Sequence, residues 1–203
     1  MHLVFDRLGV MKKLLGIIIL GLFLTTPSQA DDIRDFQIEG ITVGDSLLDF
    51  YNEKKIKEAI KDTVYYYPDR KFYDIFIKSP NNSNYEWFQI TMKTKDKSYI
   101  VYVMTGLIDF GKKNIKDCYP KLKEVANEIK NVFDNKIKPE DIKFNHTADT
   151  SGKSKVERSN FKTDGGDIQV ECVDWSKNVE YEDTFRVNIK SDEALKYFRT
   201  AFK

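Results

Sequence analysis

Period-two alternation of apolar and polar residues constrains this chain most. In 71–78, KFYDIFIK, the side chains of Tyr73, Ile75 and Ile77 share one side. In 86–94, Phe88, Ile90 and Met92 alternate with Gln89, Thr91 and Lys93. A third apolar run covers 99–104, YIVYVM. Successive side chains of a strand point to opposite faces, so these runs read as half-buried strands. The links at 80–84 and 95–97 are short, which makes an antiparallel meander. Three more strands are expected over 156–162, 168–175 and 184–190. The turn between the first two is Asp164-Gly165-Gly166-Asp167, a hairpin signal.

The helical period appears over about 114–134, where Ile115, Cys118, Leu122, Val125, Ile129 and Phe133 recur at spacings of three and four. Pro120 sits awkwardly inside a helix that starts at Asn114, and the alternative is a start near Tyr119, with proline at its first position. Asn52 is placed to cap 53–62, with Ile56 and Ile60 on one face, and Asp45 or Ser46 to cap a short helix in LLDFY. Ser191 caps a terminal helix with an apolar stripe of Ala194, Leu195, Phe198 and Phe202. Residues 36–43, FQIEGITV, read as a short strand broken by Gly40, Gly106 and Gly111 bracket the apolar piece LIDF, and polar 135–155 reads as a loop or a seam. The fold class expected is α+β, with antiparallel sheet and amphipathic helices packed against it. An internal duplication is one reading of this order, although the halves share no convincing residue match.

The N-terminus carries an address. Met11-Lys12-Lys13 precedes the apolar run LLGIIILGLFL, and Ser28-Gln29-Ala30 ends it before Asp31. A basic start, a short apolar core and small residues at −3 and −1 describe a secretory signal peptide. An apolar run of 11 residues is about 16 Å of helix, short of the roughly 30 Å of a bilayer core. An uncleaved anchor is the competing reading, and Met11 is a candidate start. Cleavage after Ala30 leaves one soluble α+β domain over 31–203. The whole chain has Lys+Arg 33 against Asp+Glu 32, a net charge of +1. The removed segment holds Arg7, Lys12 and Lys13 against Asp6, so two positive charges go with it and the remainder carries −1. That balance argues against a nucleic-acid partner, which needs a concentrated basic surface. Beyond the signal no stretch of apolar residues is long enough to span a membrane.

Export gives the two cysteines a meaning. Cys118 and Cys172 would enter an oxidising compartment, periplasmic or extracellular, where a bond between them persists. The other reading keeps both as small buried apolar residues on a helix and a strand.

Gly44-Asp45-Ser46-Leu47 resembles the signature of a family of serine esterases and lipases, in which Ser46 would be the nucleophile. That chemistry requires a base within reach of the serine. The family carries its histidine in a C-terminal Asp-x-x-His, whereas His146 is preceded three residues earlier by Lys143, followed by 57 more residues, and has no Gly-x-Asn-Asp block for company. Ser46 is therefore expected to be a cap, and no catalytic residue is assigned. No Cys or His spacing suits zinc, and Asp164, Asp167 and Asp174 are expected to be turn residues rather than a calcium set. No cofactor or metal is implied. Tyr65, Tyr66 and Tyr67, with Trp87, form the candidate ligand or partner patch, against which stands simple core packing.

The runs IEGITVGDSLLDFYNEKKIKEAI, CYPKLKEVANEIKNVF and VECVDW resemble uncharacterised small exported proteins of marine alphaproteobacteria. The resemblance spans most of the chain after the signal. It implies export and sets the helix cysteine beside the strand cysteine, and it supplies no catalytic role. The reading is an exported periplasmic or secreted binding or accessory module, non-enzymatic, whose partner is a small molecule or an envelope protein. A periplasmic hydrolase with an unrecognised site is the alternative.

Overall fold

The computed structural model describes residues 32–111 and 115–201. The segment 1–30 expected to be a signal peptide lies outside the described residues, as does Phe202. Eight strands form one antiparallel sheet: β1 (Tyr65–Tyr66), β2 (Phe72–Lys78), β3 (Trp87–Lys93), β4 (Val101–Asp109), β5 (Glu140–Asn145), β6 (Lys155–Thr163), β7 (Gly166–Asp174) and β8 (Thr184–Ser191). Their order is β1-β2-β3-β4-β8-β7-β6-β5. Each half is thus a four-stranded meander, and the halves meet where β4 pairs antiparallel with β8. Three helices accompany them: α1 (Glu53–Thr63), α2 (Ile115–Val132) and α3 (Asp192–Ala201).

Two of the helices follow the meanders in order, α1 ahead of β1–β4 and α2 ahead of β5–β8. On one face of the sheet, Tyr73, Ile75, Ile77, Ile90, Ile168, Val170 and Val187 join Ile56 of α1 and Leu122 and Ile129 of α2 in a single apolar core. The segment 33–47 completes it with Ile33, Phe36, Ile38, Ile41, Val43 and Leu47. α3 packs on the opposite face, where the Tyr197 ring lies 4.7 Å from Phe72. α1 and α2 thus share the apolar face, each ahead of one meander, and α3 lies on the other face after the second.

Several departures from the sequence expectations have physical causes. β4 runs through Gly106 into LIDF instead of stopping at 104. A Cβ on Gly106 would sit 2.5 Å from the Tyr85 ring, so the glycine makes room for an aromatic ring and does not end the strand. β5 lies within the polar stretch read as a loop. It is the edge strand, with its residues exposed or half-buried, so the apolar alternation that announces a strand is almost absent. α2 begins at Ile115, ahead of Pro120. The proline denies the Lys116 carbonyl its helical donor, and the first turn holds because Cys118 is bonded to the sheet and Ile115 packs against the core. Residues 36–43 turn sharply at Glu39-Gly40, with φ of 51° and 84° and Ile38 and Ile41 exchanging both backbone hydrogen bonds. In α3 the buried pair is Ala194 and Tyr197, because Tyr197 packs against Phe72 and donates to Asp69 at 2.5 Å.

Cys118 and Cys172 are joined by a disulfide, tying α2 to β7 on the apolar face. No helix among the described residues is long and apolar enough to cross a membrane.

Candidate functional site

The other face of the sheet is polar, and its centre is buried. Strand register lays it out in rows. The middle row crosses five strands: Gln89 opposes Thr105, Thr105 opposes Asn188, Asn188 opposes Gln169, and Gln169 opposes Asn160. On one side of it, Trp87, Leu107, Arg186, Glu171 and Arg158 stand in line across the same strands. On the other side run Asp74, Thr91, Val103, Lys190 and Asp167. Neighbouring rows are two residues apart, about 7 Å, and neighbouring strands about 4.8 Å.

Two apolar clusters bound this floor. At one end α3 covers Phe72, with Tyr67 and Tyr197 ring to ring at 5.9 Å. At the other, Val156, Val173 and Trp175 form a small second core with Phe144 and Val179. His146 belongs to that end. Its ring lies 4.2 Å from Trp175, its Nδ1 accepts from the Ala148 amide at 3.2 Å, and burial lowers its pKa.

The floor is wired by hydrogen bonds. Asp74, 2% exposed, accepts from Tyr67 Oη at 2.9 Å, Gln89 Nε2 at 2.6 Å and Thr91 Oγ1 at 2.6 Å. Burial raises its pKa, and these three donors work against that rise. Thr105 donates to Asn188 Oδ1 at 2.9 Å. Asn160 Nδ2 donates to Asp167 at 3.3 Å. Two carboxamide oxygens have no partner among the described residues, Oδ1 of Asn160 and Oε1 of Gln169, in residues only 6% and 5% exposed. A buried acceptor without a donor is costly, so such atoms ordinarily meet a ligand or water.

Charge on the floor is unevenly compensated. Glu171 is gripped by Arg158 through Nε and Nη2, both at 2.7 Å. Burial pushes the Glu171 carboxyl up, yet Arg158, Lys190 and Arg186 outweigh it and hold it at about 2. Arg186 donates from Nε to Thr184 Oγ1 at 3.0 Å and makes no ion pair among the described residues. Lys190 has no hydrogen bond or ion pair among them. Burial, with repulsion from Arg158 and Arg186, lowers it to about 8 against the pull of Glu171 and Asp167. Three cations, Arg158, Arg186 and Lys190, therefore share the floor with three carboxylates, of which Glu171 is committed to Arg158 and Asp74 to three uncharged donors.

The aromatic patch inferred from sequence is divided. Tyr65 opposes Asp74 and Tyr66 opposes Tyr73, so their side chains leave opposite faces of the edge strand. Tyr65 is 56% exposed. Tyr67 turns inward onto Asp74. Trp87 opposes Lys78, four positions along β2 from Asp74 and two strands over from β1, so its backbone lies about 16 Å or more from that of Tyr65. It is 40% exposed and lines a 300 Å³ cleft with Thr63, Phe76, Leu107, Asp109 and Thr184. Arg186 is outside this lining, and its cross-strand neighbour Leu107 is part of it.

Ser46 caps the short 3-10 helix Leu47–Asp49, accepting from the Leu48 amide and donating to the Ser98 carbonyl at 2.7 Å. Its proton is spent on backbone, and no imidazole adjoins it. Among the described residues no three of His, Cys, Asp and Glu converge as a metal site.

The polar row escaped sequence reading because it occupies the polar half of alternating strands, which ordinarily faces solvent. One signal was available. One carboxamide stands on the polar side of each of four strands, Gln89, Asn160, Gln169 and Asn188, where a solvated face favours lysine, glutamate and threonine.

No protein-family model, curated protein or solved structure matches the chain.

Proposed function

We propose that the chain is an exported, disulfide-stapled, non-enzymatic binding module that takes a small anionic or partly anionic molecule on the polar face of its sheet. The observation that carries this reading is Lys190, a cation set among Gln169, Asn188 and Asp167 with no ion pair among the described residues, on the same strand and face as Arg186, which makes none among them either. Unneutralised cations on a low-dielectric floor destabilise one another, and an anion relieves that repulsion. Unpartnered carboxamide oxygens next to them accept hydrogen bonds from hydroxyl or amine groups of the same molecule. The signal peptide and the Cys118–Cys172 bond support an oxidising compartment.

Mass spectrometry of the protein recovered after export tests the whole reading. It is expected to find an N-terminus at Asp31, a mass two protons below the reduced form, and a small anion released on denaturation. A protein retained in the cytoplasm with reduced thiols, and carrying nothing, would overturn it.

A further inference from the structure

We propose, building on that reading, that the Trp87 cleft binds a free α-amino acid with an apolar side chain, its carboxylate on Arg186 and its ammonium on Asp109. The cleft wall is apolar where Phe76, Trp87 and Leu107 meet, and charged at one border. Arg186 stands opposite Leu107, and its Nε bond to Thr184 Oγ1 at 3.0 Å draws the guanidinium toward a residue of the cleft lining. Asp109 lines the same cleft directly opposite Thr184. It accepts from the Gly111 amide through Oδ1 at 2.8 Å. Asp109 and Arg186 thus flank Thr184 with opposite charges and form no ion pair with each other or with any described residue.

Charge complementarity selects the occupant. A purely anionic apolar molecule would satisfy Arg186 and meet repulsion from Asp109. A purely cationic one would meet the reverse. A free amino acid carries both charges on one carbon and projects its side chain away from them. Guanidinium suits carboxylate through paired N–H donors, and the exposed indole supplies a large apolar platform at the cleft mouth.

Titration of the ¹⁵N-labelled exported protein with L-phenylalanine, followed through the Trp87 indole N–H, tests this. N-acetyl-L-phenylalanine removes the ammonium and L-phenylalaninamide removes the carboxylate. L-phenylalanine and L-leucine are expected to give saturable shifts, and each blocked form to bind about tenfold or more weakly, the loss expected for one charge-assisted bond. Asp109→Asn should abolish discrimination against the N-acetyl form, and Arg186→Met discrimination against the amide. Asp109 is exposed, so its variant carries the test if the arginine variant does not fold. Trp87→Ala should lose binding at unchanged melting temperature. Equal binding of the blocked forms, or no saturable shift with either amino acid, overturns the inference. In that event acetate and inorganic phosphate separate the two readings. Shifts at Lys190 or Arg186 with either anion leave the anion-binding module standing, and silence with both removes it as well.

Discussion

Glu171 and Cys172 are consecutive in β7 and leave opposite faces of the sheet: the Cys172 sulfur is bonded to α2, while the Glu171 carboxylate is gripped by Arg158 at 2.7 Å. β7 therefore joins two unlike environments, a covalently fastened apolar core and a charged floor. Perturbing one residue tests the fold, and perturbing its neighbour tests the site.

The disulfide closes a separation of 54 residues. In the chain-entropy account a loop of that length stabilises the folded state by about 4 kcal/mol. The paired variant Cys118→Ala, Cys172→Ala is expected to lower the urea midpoint by a corresponding amount while keeping the far-ultraviolet dichroism of the sheet. An unchanged midpoint would show that the bond restrains little.

Glu171→Gln leaves Arg158 without its charged partner and removes the anion nearest Arg186 and Lys190. Breaking one side of a buried ion pair costs about 3–5 kcal/mol. The acid limb of stability should change with it. The folded carboxyl, at about 2, lies below its unfolded value. Its contribution is complete above the unfolded pKa and disappears as pH falls through that value toward 2. Urea midpoints between pH 6 and pH 2, each reference pH chosen around these limits, should fall less steeply in Glu171→Gln than in the parent.

The tyrosine run gives a contrast within three residues. Tyr67→Phe deletes one of three donors to a buried carboxylate, and is expected to cost about 1–3 kcal/mol. Tyr65→Ala removes a largely exposed ring and should stay within about 0.5 kcal/mol. Equal destabilisation by the two would contradict the inward placement of Tyr67. Ser46→Ala, which removes a cap and a bond to the Ser98 carbonyl, is expected to cost about 1 kcal/mol.

The strands that bury alternate apolar residues, β2, β3, β6, β7 and β8, were legible because the period of two survives in Tyr73, Ile75, Ile77 and in Phe88, Ile90, Met92. Caps were legible too: Asn52 accepts from the Lys55 amide and Ser191 from the Ala194 amide. β5 was not, since an exposed edge strand carries little hydrophobic signal. The site was the least legible part. Gln89, Asn188 and Gln169 look like ordinary solvent-side residues until strand register aligns them, and register across the β4–β8 seam joins positions 83 residues apart, Thr105 and Asn188. Trp87 was visible as an aromatic, whereas its cleft depends on Leu107 and Thr184 brought in from two other strands.

Lys190 supplies the pH dependence that most directly reports on the floor. It faces Asp167 and Val103 across the strands, with Glu171, Arg158 and Arg186 as its charged surroundings. Its folded pKa of about 8 lies below the ordinary lysine value of 10.5. Between those values the unfolded chain holds a proton that the folded chain has released, so stability rises as pH rises through this window, by at most about 1.4 kcal/mol per pH unit for one proton. Above about pH 10 the buried tyrosines act in the opposite sense, because the phenols of Tyr67, Tyr73 and Tyr85 are raised by burial. Anion binding at the floor should follow the ammonium, weakening as pH climbs past 8. Comparing the parent with Lys190→Met from about pH 7, below this window, to about pH 9.5, within it, separates the lysine from every other group. The variant is expected to lose both the rise in urea midpoint and the fall in anion affinity, and a variant that keeps both slopes would place the titrating group elsewhere.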